Sequence, residues 1–308
     1  MSLSMTEKQK RDFETDGFII MDPFFTPEEL ERLLAAVDEV ASTIQSAQGL
    51  GPDDPFAIRN ALAHHDAFLD LVDHPRMLPL VIDAIGWNIQ IRTTHLDYRP
   101  PYPDNLDAGE IGSGKGEDNQ SGYRNVVWHP DLAADHLFEA PSLDGRLPFM
   151  EIKAFYVLSD LTEPNSGNLW MVPGSHNRKP QELRDLGLTI DPEDAVELKL
   201  PPGAAVLWRT ATWHCVGPNL SNKIRKIMHV GYHYRWLRPT DYIQQDPALL
   251  SRCSPVRRQL LGAMATGNDP LGDDPVFHPS SQHWITHDEN DVPLRAWVEQ
   301  ESPSKVHI

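Results

Sequence analysis

Read along the chain, the spacing of apolar positions changes once. Over the first ninety residues it is mainly helical, and Leu30, Leu33, Leu34 and Val37 follow Thr26-Pro27-Glu28-Glu29. That tetrapeptide is a capping box with proline at the first helical position. Gly17-Phe18-Ile19-Ile20-Met21 just before it reads as a short strand, and a helical stretch around Ala67 to Ile85 is expected to end at Gly86. Beyond that point the period falls to two. Strands are predicted near Asn88–Arg99, Asn125–His129, Glu151–Leu158, Leu169–Val172, Val196–Leu200, Ala204–Trp208 and Lys226–Trp236. Turn signals separate them at Pro100-Pro101, Pro164-Asn165-Ser166-Gly167 and Pro201-Pro202-Gly203. One further helix, Pro247–Met264, precedes a polar tail.

Short strands with long connections predict a mainly β fold, a double-stranded β-helix or jelly roll with flanking N-terminal and C-terminal helices. We expect one domain over residues 1–308: mostly helical support in 1–87, a jelly-roll core in 88–240, and a C-terminal extension in 241–308. The long, polar, glycine-rich stretch Pro100–Tyr123 fits a lid over a site.

Composition narrows the partners more than the fold. The formal charge is −18, which argues against nucleic acid and anionic membrane, since both select clustered Lys and Arg. The only cysteines, Cys215 and Cys253, supply neither a disulfide framework nor a zinc-cysteine site. The N-terminus has no apolar core of a signal peptide, and no apolar run approaches the roughly 18 residues of a membrane span. The expectation is a cytoplasmic protein acting on a small-molecule substrate, with 27 prolines stiffening its loops.

Three signals carry chemistry. In Trp128-His129-Pro130-Asp131, residues two apart at a strand end face one way, so His129 and Asp131 can reach a common point. Alone, an H-x-D triplet in a chain with 14 histidines is weak. Trp213-His214, after the strand Ala204–Trp208, supplies a third ligand far along the chain. Two imidazoles and a carboxylate on one face leave three metal positions open, the pattern of non-haem Fe(II) oxygenases. Zinc can bind the same set. The third signal is Arg225, eleven residues after His214, whose guanidinium can pair with the distal carboxylate of a dicarboxylate.

With these residues the chain resembles the phytanoyl-CoA dioxygenase (PhyH) family of 2-oxoglutarate oxygenases. The matching pieces are His129-Pro130-Asp131, then Asn165-Ser166-Gly167 through Pro173-Gly174-Ser175-His176, then His214, Gly217-Pro218-Asn219-Leu220-Ser221 and Arg225. The opening Phe13 to Ile20 also matches, so the likeness runs from about residue 8 to 240. It implies Fe(II) on His129, Asp131 and His214, 2-oxoglutarate as co-substrate anchored by Arg225, and O2 as oxidant. It places Phe155 and His95 against the co-substrate. Thr93 and Asp97 share a strand face with His95, and His229 and His233 share one with Arg225. With Trp170 these four are candidate substrate contacts, although packed core residues would read the same way. Pro130 and Val216 depart from common family residues without removing a ligand. Related halogenases replace the carboxylate ligand with a small residue, so Asp131 favours hydroxylation. Desaturation, cyclisation and epimerisation share the cofactors; a zinc-dependent hydrolase and an inactive jelly-roll binding module are the readings outside the class.

Overall fold

The computed structural model describes residues 4–52, 54–102, 127–131, 148–263 and 293–301. Most of the predicted lid Pro100–Tyr123, the start of the predicted strand Asn125–His129, and Met264 lie outside the described residues. The described elements begin with α1 (Glu7–Thr15), β1 (Phe18–Met21), α2 (Pro27–Gln48), β2 (Phe56–Arg59), α3 (Asp66–Leu69), α4 (Leu78–Ile85) and β3 (Ile89–Arg99). They continue with β4 (Glu151–Val157), β5 (Leu169–Met171), α5 (Pro180–Leu186), β6 (Val196–Leu198), β7 (Ala205–Arg209), β8 (His214–Val216) and β9 (Arg225–Tyr234). Helices α6 (Pro247–Ser251), α7 (Pro255–Leu260) and α8 (Pro293–Glu301) complete them.

The strands form two antiparallel sheets. One has six strands in the order β1-β7-β4-β9-β3-β2, and the other has three, β6-β5-β8. Alternation along the strands assigns the faces of the large sheet. Ile152, Ala154 and Tyr156 of β4, with Leu207, Val230 and Tyr232, join a core built with the helices. Phe155 and Val157, with Val206, Trp208 and Ile227, turn the other way and meet Leu169, Met171 and Leu198 of the small sheet. All seven residues of β4 are buried, as a central strand covered on both sides requires.

The helical layer follows from its sequence. The Thr26 hydroxyl accepts from Glu29 N–H at 3.2 Å, and Glu29 Oε2 accepts from Thr26 N–H at 2.8 Å, which starts α2. Leu33, Ala36, Val37, Val40 and Ala41 then face the core. The continuous helix expected over Ala67–Ile85 is instead two, α3 and α4. Pro75 lacks an N–H and disfavours helical geometry at His74, so the chain turns between them. The helix expected over Pro247–Met264 likewise divides, because Ser254 caps a new start at Pro255. Where a polar tail was expected, α8 buries Leu294 and Val298. No helix among the described residues is long and apolar enough to cross a membrane.

Candidate active site

His129 and His214 form an antiparallel bridge between the segment before Pro130 and β8, with N–H to O distances of 3.0 Å in both directions. Their rings lie 4.5 Å apart between centroids. His129 Nδ1 is 2.8 Å from the Val127 carbonyl, and His214 Nδ1 is 2.8 Å from the Thr212 carbonyl. A carbonyl can only accept, so each Nδ1 carries a proton and each Nε2 is the ring nitrogen left to face a cation. Asp131 N–H donates to the Thr210 carbonyl at 2.8 Å, which swings the carboxylate to the same point. One ligand atom from each of His129, Asp131 and His214 lies within 4.8 Å of the others, and among the described residues no other group of this kind occurs.

The charge state suits a cation. Burial pushes His214 down to about 3, so its imidazole is neutral. Burial alone would raise the Asp131 carboxyl, but the Lys153 ammonium beside it outweighs burial and holds the group well below the usual carboxylate range. Asp131 Oδ2 is buried without a hydrogen-bond partner and sits 3.5 Å from His214 Nε2. An orphaned carboxylate oxygen beside the lone pair of a neutral His214 is costly unless a cation joins them. The donor set of two nitrogens and one oxygen fits Fe(II).

The inner face of the large sheet supplies the floor. Trp208 lies 5.5 Å from the His214 ring and 6.1 Å from Phe155, and Phe155 stands 5.0 Å from His229. Phe155 also lies 5.7 Å beneath the Arg225 guanidinium. The expected aromatic at Phe155 therefore stands between Trp208 and the arginine. His95 packs edge-on against His229 at 3.9 Å. Burial pushes His229 down to about 4 and holds His95 well below its ordinary value, so both rings are neutral.

Arg225 is fully buried and partly engaged. Its Nε–H donates to the Gly167 carbonyl at 2.6 Å and its Nη1 to Asp97 Oδ2 at 3.2 Å, while Nη2 has no partner. Gly167 has a φ of +76°, and a Cβ there would overlap Arg225 Cδ, so the Asn-Ser-Gly turn needs its glycine on both counts. Asp97, expected as a substrate contact, faces the arginine. Burial would raise its carboxyl, but the guanidinium groups of Arg99 and Arg225 hold it well below the usual range.

Other expected residues are placed differently. The Thr93 hydroxyl bonds Asp241 at 2.9 Å and accepts from Arg59 at 3.2 Å. His233 lies in register with Glu151, beyond His229, and burial pushes it down to about 3. Trp170 lies on the outer face of β5 and packs with Trp128 and Trp213. Those three tryptophans make an outer core. Lys153 and Trp208 were missed from sequence, although a lysine two residues before Phe155, the one charge between Ile152 and Val157, was a readable signal.

A sequence profile described as phytanoyl-CoA dioxygenase (PhyH) matches residues 13–227. A probable alpha-ketoglutarate-dependent hypophosphite dioxygenase of Stutzerimonas stutzeri is 23% identical over 74% of this chain and 78% of its own length. An ectoine dioxygenase of Nocardia farcinica is 25% identical over 55% of this chain, and the match spans half of that relative, 50%. EctD from S. alaskensis, solved with 2-oxoglutarate and 5-hydroxyectoine, is similar with a TM-score of 0.56 and 18% identity, over 81% of this chain and 84% of that one. At that identity the likeness is one of fold.

Proposed function

The chain belongs to the phytanoyl-CoA dioxygenase family, and on that premise we propose that it is an Fe(II)- and 2-oxoglutarate-dependent dioxygenase that hydroxylates an unactivated C–H bond of a small-molecule metabolite. The reaction consumes 2-oxoglutarate and O2 and releases succinate and CO2, with one oxygen atom entering the substrate and one entering succinate. The convergence of His129, Asp131 and His214 within 4.8 Å carries this reading. The two antiparallel sheets are the halves of a jelly roll, and residues 1–308 form a single oxygenase domain.

Iron bound by these residues supplies the activation of dioxygen that couples decarboxylation of the keto acid to oxidation of the substrate. The protein's own part is positional. The Val127 and Thr212 carbonyls fix the two imidazoles with Nε2 forward. The unpartnered Nη2 of Arg225 receives the distal carboxylate of 2-oxoglutarate, and Phe155 supports its carbon chain. Trp208, Phe155 and the neutral imidazoles of His95 and His229 line the floor between the metal position and Arg225. Thr93 and His233 lie along the same face and are candidates for the substrate end.

Succinate formation from 2-oxoglutarate tests this reading, with chelator-treated protein assayed with and without Fe(II). Iron-dependent succinate is expected from the wild type, and it should vanish in His129→Ala. In Arg225→Ala the KM for 2-oxoglutarate should rise by at least about tenfold, the equivalent of 1.4 kcal/mol. Succinate without iron, or undiminished succinate from His129→Ala, would overturn the assignment.

A further inference from the structure

The catalytic reading makes no use of Lys153, a buried cation at the centre of the site. It stands on the inner face of β4, in register with Trp208 of β7 and Gly231 of β9. Its side chain is 6% exposed. An ammonium taken out of water to that extent needs a charged partner. Its Nζ donates to Asp131 Oδ1 at 2.6 Å and lies 5.7 Å from the Trp208 ring. The far side of the carboxylate is different: Oδ2 is buried, accepts no hydrogen bond, and turns toward His214 Nε2 at 3.5 Å. The two oxygens of Asp131 thus have separate assignments, one to the lysine and one to the metal position.

We propose that Lys153 is a positioning residue that occupies Asp131 Oδ1 and so presents this ligand to the metal through Oδ2 alone. The inference rests on the metal reading above. A free carboxylate can chelate through both oxygens, and with two histidines it then fills four of six positions. A bidentate co-substrate takes the remaining two, and nothing is left for oxygen. Held to one oxygen by a charge-assisted hydrogen bond, the same ligand set leaves the three positions that this chemistry uses. The lysine acts through Asp131 and protects the count of open positions.

Mn(II) alone is the probe, added to chelator-treated full-length protein. Water-proton relaxation then counts the waters exchanging on the bound ion. The wild type is expected to hold three, and Lys153→Arg, which keeps a charged donor, should match it. In Lys153→Met the carboxylate is free to chelate, and the inner-sphere relaxation should fall by about a third, one water of three. A wild-type count of two overturns the proposal whether or not any variant folds. So does a Lys153→Met protein that keeps three waters, and if its KM for 2-oxoglutarate rises at the same time the lysine is an anion contact instead. Failure of the metal reading looks different: the wild type then binds no Mn(II), or His129→Ala binds it as well as the wild type does, and the proposal falls with that reading.

Discussion

On the proposed function, the guanidinium of Arg225 would meet an incoming carboxylate with two of its three nitrogens already bonded, one to the Gly167 carbonyl and one to Asp97. Asp97 therefore has two opposed effects. It neutralises a buried cation when the pocket holds no anion, and it repels the carboxylate that would replace it. Asp97→Asn should lower the KM for 2-oxoglutarate by about tenfold, or 1.4 kcal/mol, with kcat little changed. The same substitution should lower the melting temperature of the protein without co-substrate, because it strands Arg225. Titration of initial rates against 2-oxoglutarate decides this, and an unchanged or higher KM would show that Asp97 serves mainly to hold the arginine in place. The sequence gives the separate members of this site because each sits in a short pattern: H-x-D, the distal histidine, the arginine opening a strand. It does not give the pairings. Asp97 and Arg225 lie 128 residues apart, and Lys153 reaches Asp131 across 22. Cross-strand register of β3 on β9 creates the first contact, and the hydrogen bond from Asp131 N–H to the Thr210 carbonyl brings about the second; both are properties of the folded chain.

Among elements, α8 shows where hydrophobic pattern is hardest to read. Its mean composition is polar, yet Leu294 is fully buried and Val298 nearly so, four residues apart on one face. Leu294 N–H donates to Gln259 Oε1 at 2.8 Å, and the Gln259 amide reaches the Trp87 and Ile89 carbonyls at the start of β3. The helix is thus tied to the strand that carries His95 and Asp97. Leu294→Ala should cost about 2–4 kcal/mol in denaturant unfolding, the range for a buried leucine with partial collapse of the cavity. A change near zero would mean that α8 is not part of the cooperative core. The long strands β3, β4, β7 and β9 fall close to where period-two alternation puts them, because each presents apolar residues to a core. Strand β8 has three residues, too few to show a period, and it escapes pattern reading although it carries His214. The divided helices have a plainer cause, since Pro75 and Pro255 each overrule an apolar pattern that continues across them.

For the molecule as a whole, the concentration of neutral histidine on one inner face couples the site to acid stability. Burial holds His229 at about 4 and His233 at about 3, against an ordinary value of 6.5. In the unfolded chain both titrate near 6.5. Between that pH and about 4, unfolding takes up a proton at each position that the folded protein leaves bare, so stability falls as pH falls through this window. Above pH 6.5 neither form is protonated and these groups contribute no slope. Metal-free protein is therefore expected to lose stability on acidification by about 1.4 kcal/mol per pH unit for each such histidine. The steepness should decrease in His229→Gln, which keeps a polar side chain of similar reach but cannot take up the proton. Denaturant midpoints at several pH values between 4 and 7.5, on chelator-treated wild type and variant, measure the two slopes. Equal slopes would mean that His229 titrates alike in the folded and unfolded chains, and that the inner face of the large sheet is open to water.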